Sequence, residues 1–157
     1  MISPDFLREM QRGEEAAVAA LLTDAFGQPD EARLVEKLRK SRAIAGEMVL
    51  PSEQGIVGYL ALSQMIAPKG WLCLAPVAVH PDLQRNGYGR RMVGMIVEWA
   101  RLSGQTLVVL GDPAFYSRCG FSPAPEGLTS PYPVEYTMVA GAAKAKLMDL
   151  KYPAAFG

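Results

Sequence analysis

The sequence predicts an α/β fold: a mixed sheet of about six to seven strands, two helices ahead of it and one crossover helix within it. Three observations carry the expectation. Apolar residues recur at helical spacing in the first forty or so positions and again after position 87. Short, nearly continuous apolar runs lie between and beyond those stretches. One such run, 71–79, passes through a two-glycine turn straight into an amphipathic helix. Strands, a crossover helix, then more strands is the α/β pattern. The 157 residues are enough for one domain with its own core, taken as 1–157.

Residues 14–26 read as a helix because Val18, Leu21, Leu22 and Ala25 share one face. Pro29 interrupts, and Asp30 is placed to cap a second helix through Leu34, Val35 and Leu38. Lys37, Arg39, Lys40 and Arg42 look like its solvated face. Two antiparallel strands follow at 44–50 and 56–65, joined by turn residues 51–55. The run 71–79 is apolar throughout, so it should be buried on both faces. Pro76 lies inside it and has no N–H for a ladder, so a bulge or a parting from a neighbouring strand is expected there. That parting places a cleft beside Val77 and Val79.

The central helix spans 87–103. Met92, Ile96, Trp99 and Ser103 form its stripe, with Val93 and Ala100 beside them, and Gly104 ends it. Gly94 reads as a site of close packing on the sheet. A buried strand at 106–110 comes next, then a helical turn from Asp112-Pro113 through Tyr116, since aspartate caps and proline suits the first helical position. Gly120-Phe121 leads into another strand, and further strands are expected at 135–140 and 147–150.

The 16 basic and 16 acidic residues balance, so nothing global favours nucleic acid and any positive field must be local. No apolar run is long enough for a membrane span. Cys73 and Cys119 lie far apart, and with one histidine they give no metal-ligand spacing. Both read as small buried residues. With no secretory leader at Met1-Ile2-Ser3-Pro4, the expected setting is the reducing cytoplasm. The apolar end Tyr152-Pro153-Ala154-Ala155-Phe156 can pack on the body or on a second copy, which leaves a homodimer open.

Most functional information lies in Gln84-Arg85-Asn86-Gly87-Tyr88-Gly89-Arg90. Glycines leave peptide N–H groups bare, a helix start adds unpaired donors and a positive dipole end, and arginine adds charge. A diphosphate suits such a turn. A dinucleotide fold is the rival, but it needs a third glycine where this chain has Met92. His80, before Pro81, reads as ordering the turn.

In this context Gln84-Arg85-Asn86-Gly87-Tyr88-Gly89 resembles the Arg/Gln-x-x-Gly-x-Gly/Ala signature of the GCN5-related N-acetyltransferase (GNAT) superfamily. Tyr116, four residues before Gly120-Phe121, matches its second mark, and Val109 to Tyr116 is similar to the YhbS-like branch of predicted acetyltransferases. The resemblance runs from Trp71 to Phe121. It implies acetyl-CoA as cosubstrate, no metal, and an amine acceptor that is a small molecule or a protein. Backbone groups of Val77 and Val79 would pair with the pantetheine, the turn from Gln84 to Arg90 would hold the pyrophosphate, and the Val79 N–H would face the thioester carbonyl. Tyr116 would be the general acid that protonates the departing thiolate; its plain alternative is a packed tyrosine bonded to backbone. No carboxylate lies on 71–79 to act as base, and Glu135 is a distant candidate. A non-catalytic acyl-CoA-binding or sensory module on the same fold is the alternative function. The acceptor site falls to the N-terminal helices, the loop near Pro68 and the C-terminal segments, and its chemistry stays open.

Overall fold

The computed structural model describes residues 4–141 and 148–157. Two helices, α1 (Glu15–Phe26) and α2 (Asp30–Lys40), follow a two-residue strand β1 (Arg8–Glu9). Then come β2 (Ile44–Ser52), β3 (Gly55–Gln64), β4 (Trp71–Val79), α3 (Tyr88–Ser103), β5 (Thr106–Leu110), α4 (Pro113–Arg118), β6 (Ser122–Pro123), β7 (Leu128–Thr129), β8 (Thr137–Gly141) and β9 (Met148–Asp149). The sheet has seven strands in the order β1-β2-β3-β4-β5-β8-β6, and β7 pairs with β9 apart from it. Only β4 and β5 are parallel neighbours in the seven-stranded sheet; its other pairs are antiparallel.

Several local expectations are refined. Asp30 is the first residue of α2 rather than its cap; its N–H donates to the Gln28 side chain over 2.9 Å. The strand expected at 135–140 begins only at Thr137, because Glu135 lies in a 3-10 turn after Pro133. Of the strand expected at 147–150, Met148–Asp149 pairs with β7 and not with the main sheet, and Leu147 lies outside the described residues, as do Met1, Ile2 and Ser3.

Apolar side chains from both sheet faces form the core. Leu72 and Leu74 pack under α3 with Met92, Val93 and Ile96, while Trp71 and Cys73 pack on the other face. A bulge at Ala75-Pro76 matters here. Leu60 and Leu62 of β3 are partnered by Val77 and Leu74 of β4, so β4 carries one extra residue. The extra residue inverts the in-out alternation, and Val77 and Val79 join Leu72 and Leu74 on the α3 face. The proline thus re-aims the end of the strand that borders the cleft.

α3 lies close on the sheet at Gly58, where a Cβ would stand 2.7 Å from Met92 Sδ and 2.9 Å from Leu50 Cβ. Gly58→Ala is therefore expected to destabilise by about 1–3 kcal/mol through overpacking. A lower urea midpoint at unchanged slope would show it. Gly94 has no neighbour within 4 Å of a Cβ, so close packing does not account for it. Trp99 follows the buried stripe but is 44% exposed, because the sheet edge beneath the end of α3 thins to the short β1. Arg39 is not on a solvated face: it bonds Glu47 over 2.8 Å, and the buried Tyr59 hydroxyl donates to the same carboxylate over 2.6 Å. That trio pins α2 to β2 and β3. The C-terminal residues pack on the body, with the Tyr132 hydroxyl donating to Phe156 O over 3.1 Å.

Candidate active site

β4 and β5 pair only through Trp71/Thr106, Leu72/Leu107 and Cys73/Val108, and then separate. Beyond that point Val77 and Val79 have no strand on their β5 side. The His80 N–H donates to Val57 O on β3 over 2.8 Å, so by the antiparallel alternation the polar groups of Val77 and Val79 point away from β3, into the gap. The Val79 carbonyl is bonded there by the Gln84 side-chain amide over 3.0 Å. Its N–H is left facing the opening.

The turn after β4 is ordered from within. His80 Nδ1 accepts from the Asp82 N–H over 3.1 Å, and the Asn86 amide donates to Leu83 O over 3.2 Å. Arg85 and Gly87 take φ of 68° and 83°, a left-handed region that costs arginine strain and glycine none. The peptide N–H groups of Arg85, Asn86, Gly87, Tyr88, Gly89 and Arg90 have no acceptor among the described residues. This row of donors sits at the N-terminal end of α3, where the helix dipole is positive.

The turn and the gap enclose a chamber of about 490 Å³ lined by Val77, Val79, Leu83, Gln84, Arg85, Gly87, Gly89, Arg90, Phe115, Tyr116 and Arg118. Seven of the nine residues expected to hold a cofactor lie together in it. The Asn86 side chain instead closes the turn, and Tyr88 packs on the core with the Arg91 guanidinium 5.0 Å over its ring. Arg118 joins Arg85 and Arg90, and among the described residues no carboxylate lines the chamber. Three guanidiniums and a row of bare amides form a strong anion site. Nothing in the sequence marked Arg118; it arrives on the turn of α4, whose position depends on the whole sheet.

Tyr116 stands at the inner end. Asp112 caps α4 by accepting from the Ala114 N–H over 3.0 Å, and the ring sits edge-on to Phe115 and Phe121 at 4.9 and 5.5 Å. Burial pushes its phenol up to about 12, helped by Cys119 and Cys73, and no described residue bonds the hydroxyl. Gly111 touches the ring so closely that a Cβ there would fall 2.4 Å from Tyr116 Cε2.

A second chamber, of about 400 Å³, opens past the same point. It shares Val77 and Tyr116 with the first and reaches Phe26, Glu31, Leu34, Tyr132, Tyr152 and Phe156. Glu135 lies exposed and lines neither chamber. Among the described residues no three acidic, cysteine or histidine side chains cluster as metal ligands, and no helix is long and apolar enough to cross a membrane.

A family model described as an acetyltransferase (GNAT) domain matches residues 45–123. The uncharacterized N-acetyltransferase YjhQ of Escherichia coli strain K12 is 32% identical over 134 residues, covering 78% of this chain and 74% of that protein. The fold superposes on the GNAT family N-acetyltransferase YhbS from Escherichia coli, solved in complex with CoA, with a TM-score of 0.88 at 26% identity, over 99% of this chain and 93% of that one. A GNAT family acetyltransferase from Brucella melitensis, in complex with acetyl-CoA, gives 0.81 at 26% identity over 97% of each chain. On this matched sequence, matched topology and parted sheet, the chain belongs to the GCN5-related N-acetyltransferase family, within its YhbS-like branch.

Proposed function

We propose that the chain transfers an acetyl group from acetyl-CoA to a primary amine by direct attack, with Tyr116 as general acid. The observation that carries this is the pair of chambers meeting at Val77 and Tyr116. The first suits coenzyme A: the amides from Arg85 to Arg90 and the three arginines face its phosphates, and the free edge of β4 can take pantetheine amides as an added strand. The thioester then lies at the junction, where the Val79 N–H polarises its carbonyl. The second chamber brings the amine to the other side of the same carbon.

The proton balance is simple. The ammonium loses one proton to water before attack. The nitrogen lone pair forms the C–N bond, and the C–S bond breaks as Tyr116 gives its proton to sulfur. The second nitrogen proton restores the phenol through water. The products are amide, free thiol and one released proton. No dedicated base is required, because water can carry both nitrogen protons.

Free-thiol release from acetyl-CoA across a panel of amines tests the proposal; binding of acetyl-CoA without release would favour a non-catalytic module. Gly89 tests the placement of the coenzyme. Its φ is not positive, and an added Cβ would meet Phe115 at 3.5 Å and Val79 at 3.7 Å, ordinary contacts the fold tolerates. The larger side chain of Gly89→Val projects where the coenzyme would approach. Acetyl-CoA affinity measured by calorimetry is expected to fall by about 2 kcal/mol or more, from clash and lost hydrogen bonds. Unchanged affinity would refute that placement.

A further inference from the structure

The second chamber carries information about the acceptor itself, given the acetyl-transfer reading above. Its walls are aromatic and preformed. Phe26 comes from the end of α1 and Leu34 from α2, while Tyr132, Tyr152 and Phe156 come from the far end of the chain. Tyr132 and Tyr152 meet edge to face at 4.9 Å, and Tyr152 lies 6.1 Å from Phe156. The Tyr132–Phe156 hydrogen bond fastens the group, so little ordering remains for a ligand to bring about.

Among the described residues, Glu31 is the one acidic or basic side chain lining the chamber. The Gln28 amide donates to its Oε1 and orients it, and its other oxygen accepts no bond from the described residues. Glu31 lies in the first turn of α2. One fixed carboxylate among aromatic rings is a receptor for one cation, reinforced by the tyrosine faces.

We infer that the acceptor is a compact monoamine with an aromatic or branched apolar body and no carboxylate, its ammonium drawn in by Glu31. The excluded classes follow from the same walls. A polyamine would bring more ammoniums than the one carboxylate can meet, and the excess would be stripped of water against the rings. An amino acid would bring its carboxylate to Glu31, and among the described residues no basic side chain lines the chamber to receive it. An amino sugar would lose more hydrogen bonds to water than these walls return.

Thiol release with saturating acetyl-CoA tests this, using phenethylamine, isoamylamine, spermidine, lysine and a peptide with a free N-terminus. Phenethylamine or isoamylamine is expected to lead, with kcat/KM about tenfold or more above the others. Glu31→Gln is expected to raise the phenethylamine KM about tenfold by removing a charge-assisted contact. Acetyl-CoA affinity should hold in that variant, and Glu31→Asp should recover part of the loss. Phe26→Ala is expected to raise KM for phenethylamine more than for propylamine, a readout that a general loss of fold would not give. Preference for spermidine, lysine or the peptide, or an unchanged KM in Glu31→Gln, overturns the inference and leaves acetyl transfer standing. Acetyl-CoA binding with no thiol released by any amine overturns both.

Discussion

Tyr116→Phe is expected to lower kcat about 10²–10⁴-fold, the usual range for loss of a positioned acid, with acetyl-CoA affinity nearly unchanged. The variant keeps the ring and its edge contacts with Phe115 and Phe121, and removes only a hydroxyl that no described residue bonds. A packing role predicts little loss of rate. The acid role predicts a large one, confined to kcat. Single-turnover measurements alongside thiol release would separate the two, and full activity would remove Tyr116 from the mechanism.

The acidity of this phenol needs a physical account. At about 12 it is a weaker acid than an ordinary thiol near 8.5, so in water it would not readily protonate a thiolate. The site is not water. Cys73 lines the second chamber, and burial pushes its thiol up to about 12 as well. A coenzyme thiolate expelled at the junction of the chambers would lose part of its hydration too, which narrows the gap between donor and acceptor. The pH dependence follows. Tyr116 stays protonated across the assay range, so kcat/KM should rise as the amine loses its proton and show no falling limb until well above pH 10. A falling limb centred near neutrality would contradict the assignment. The same raised value makes a stability statement: this phenol's contribution is complete below about 10 and is lost as pH climbs towards about 12.

What the sequence made legible was whatever is decided locally. A proline in an all-apolar strand announced the bulge, and the structure shows it inverting the alternation that brings Val77 and Val79 to the cleft. The Gly-x-Gly turn announced bare amides, and Asp112-Pro113 announced the start of α4. Residues supplied by distant segments stayed hidden. Arg118 and Glu31 are exposed-looking charges in sequence, and only the meeting of α4 with the turn, or of α2 with the C-terminal aromatics, gives them a direction. Arg39 and Trp99 fail for a related reason. Helical periodicity says which residues share a face, and the extent of the neighbouring sheet decides how much of that face is covered.

Gly111 shows how closely the position of Tyr116 is tied to backbone that carries no functional group. Gly111→Ala is expected to cut kcat about 10²-fold, because a displacement of roughly 1 Å at a reacting group has that effect. The new methyl would lie 2.4 Å from Tyr116 Cε2 and 3.0 Å from Cδ2, whereas ordinary contact begins at 3.4 Å. Something must move. The Gly111 N–H is held by Tyr136 O over 3.0 Å, and the residue directly follows β5, which is paired with β8 along its length. That leaves the ring as the part that yields, away from the junction of the two chambers. Unlike Gly89→Val, this change leaves the phosphate turn untouched, so acetyl-CoA affinity should stay near wild type while turnover falls. Combining it with Tyr116→Phe should cost little beyond the phenylalanine change alone, since a displaced ring without its hydroxyl has no proton left to misdirect. Additive losses in that double variant would mean that Gly111 acts on some other part of the site.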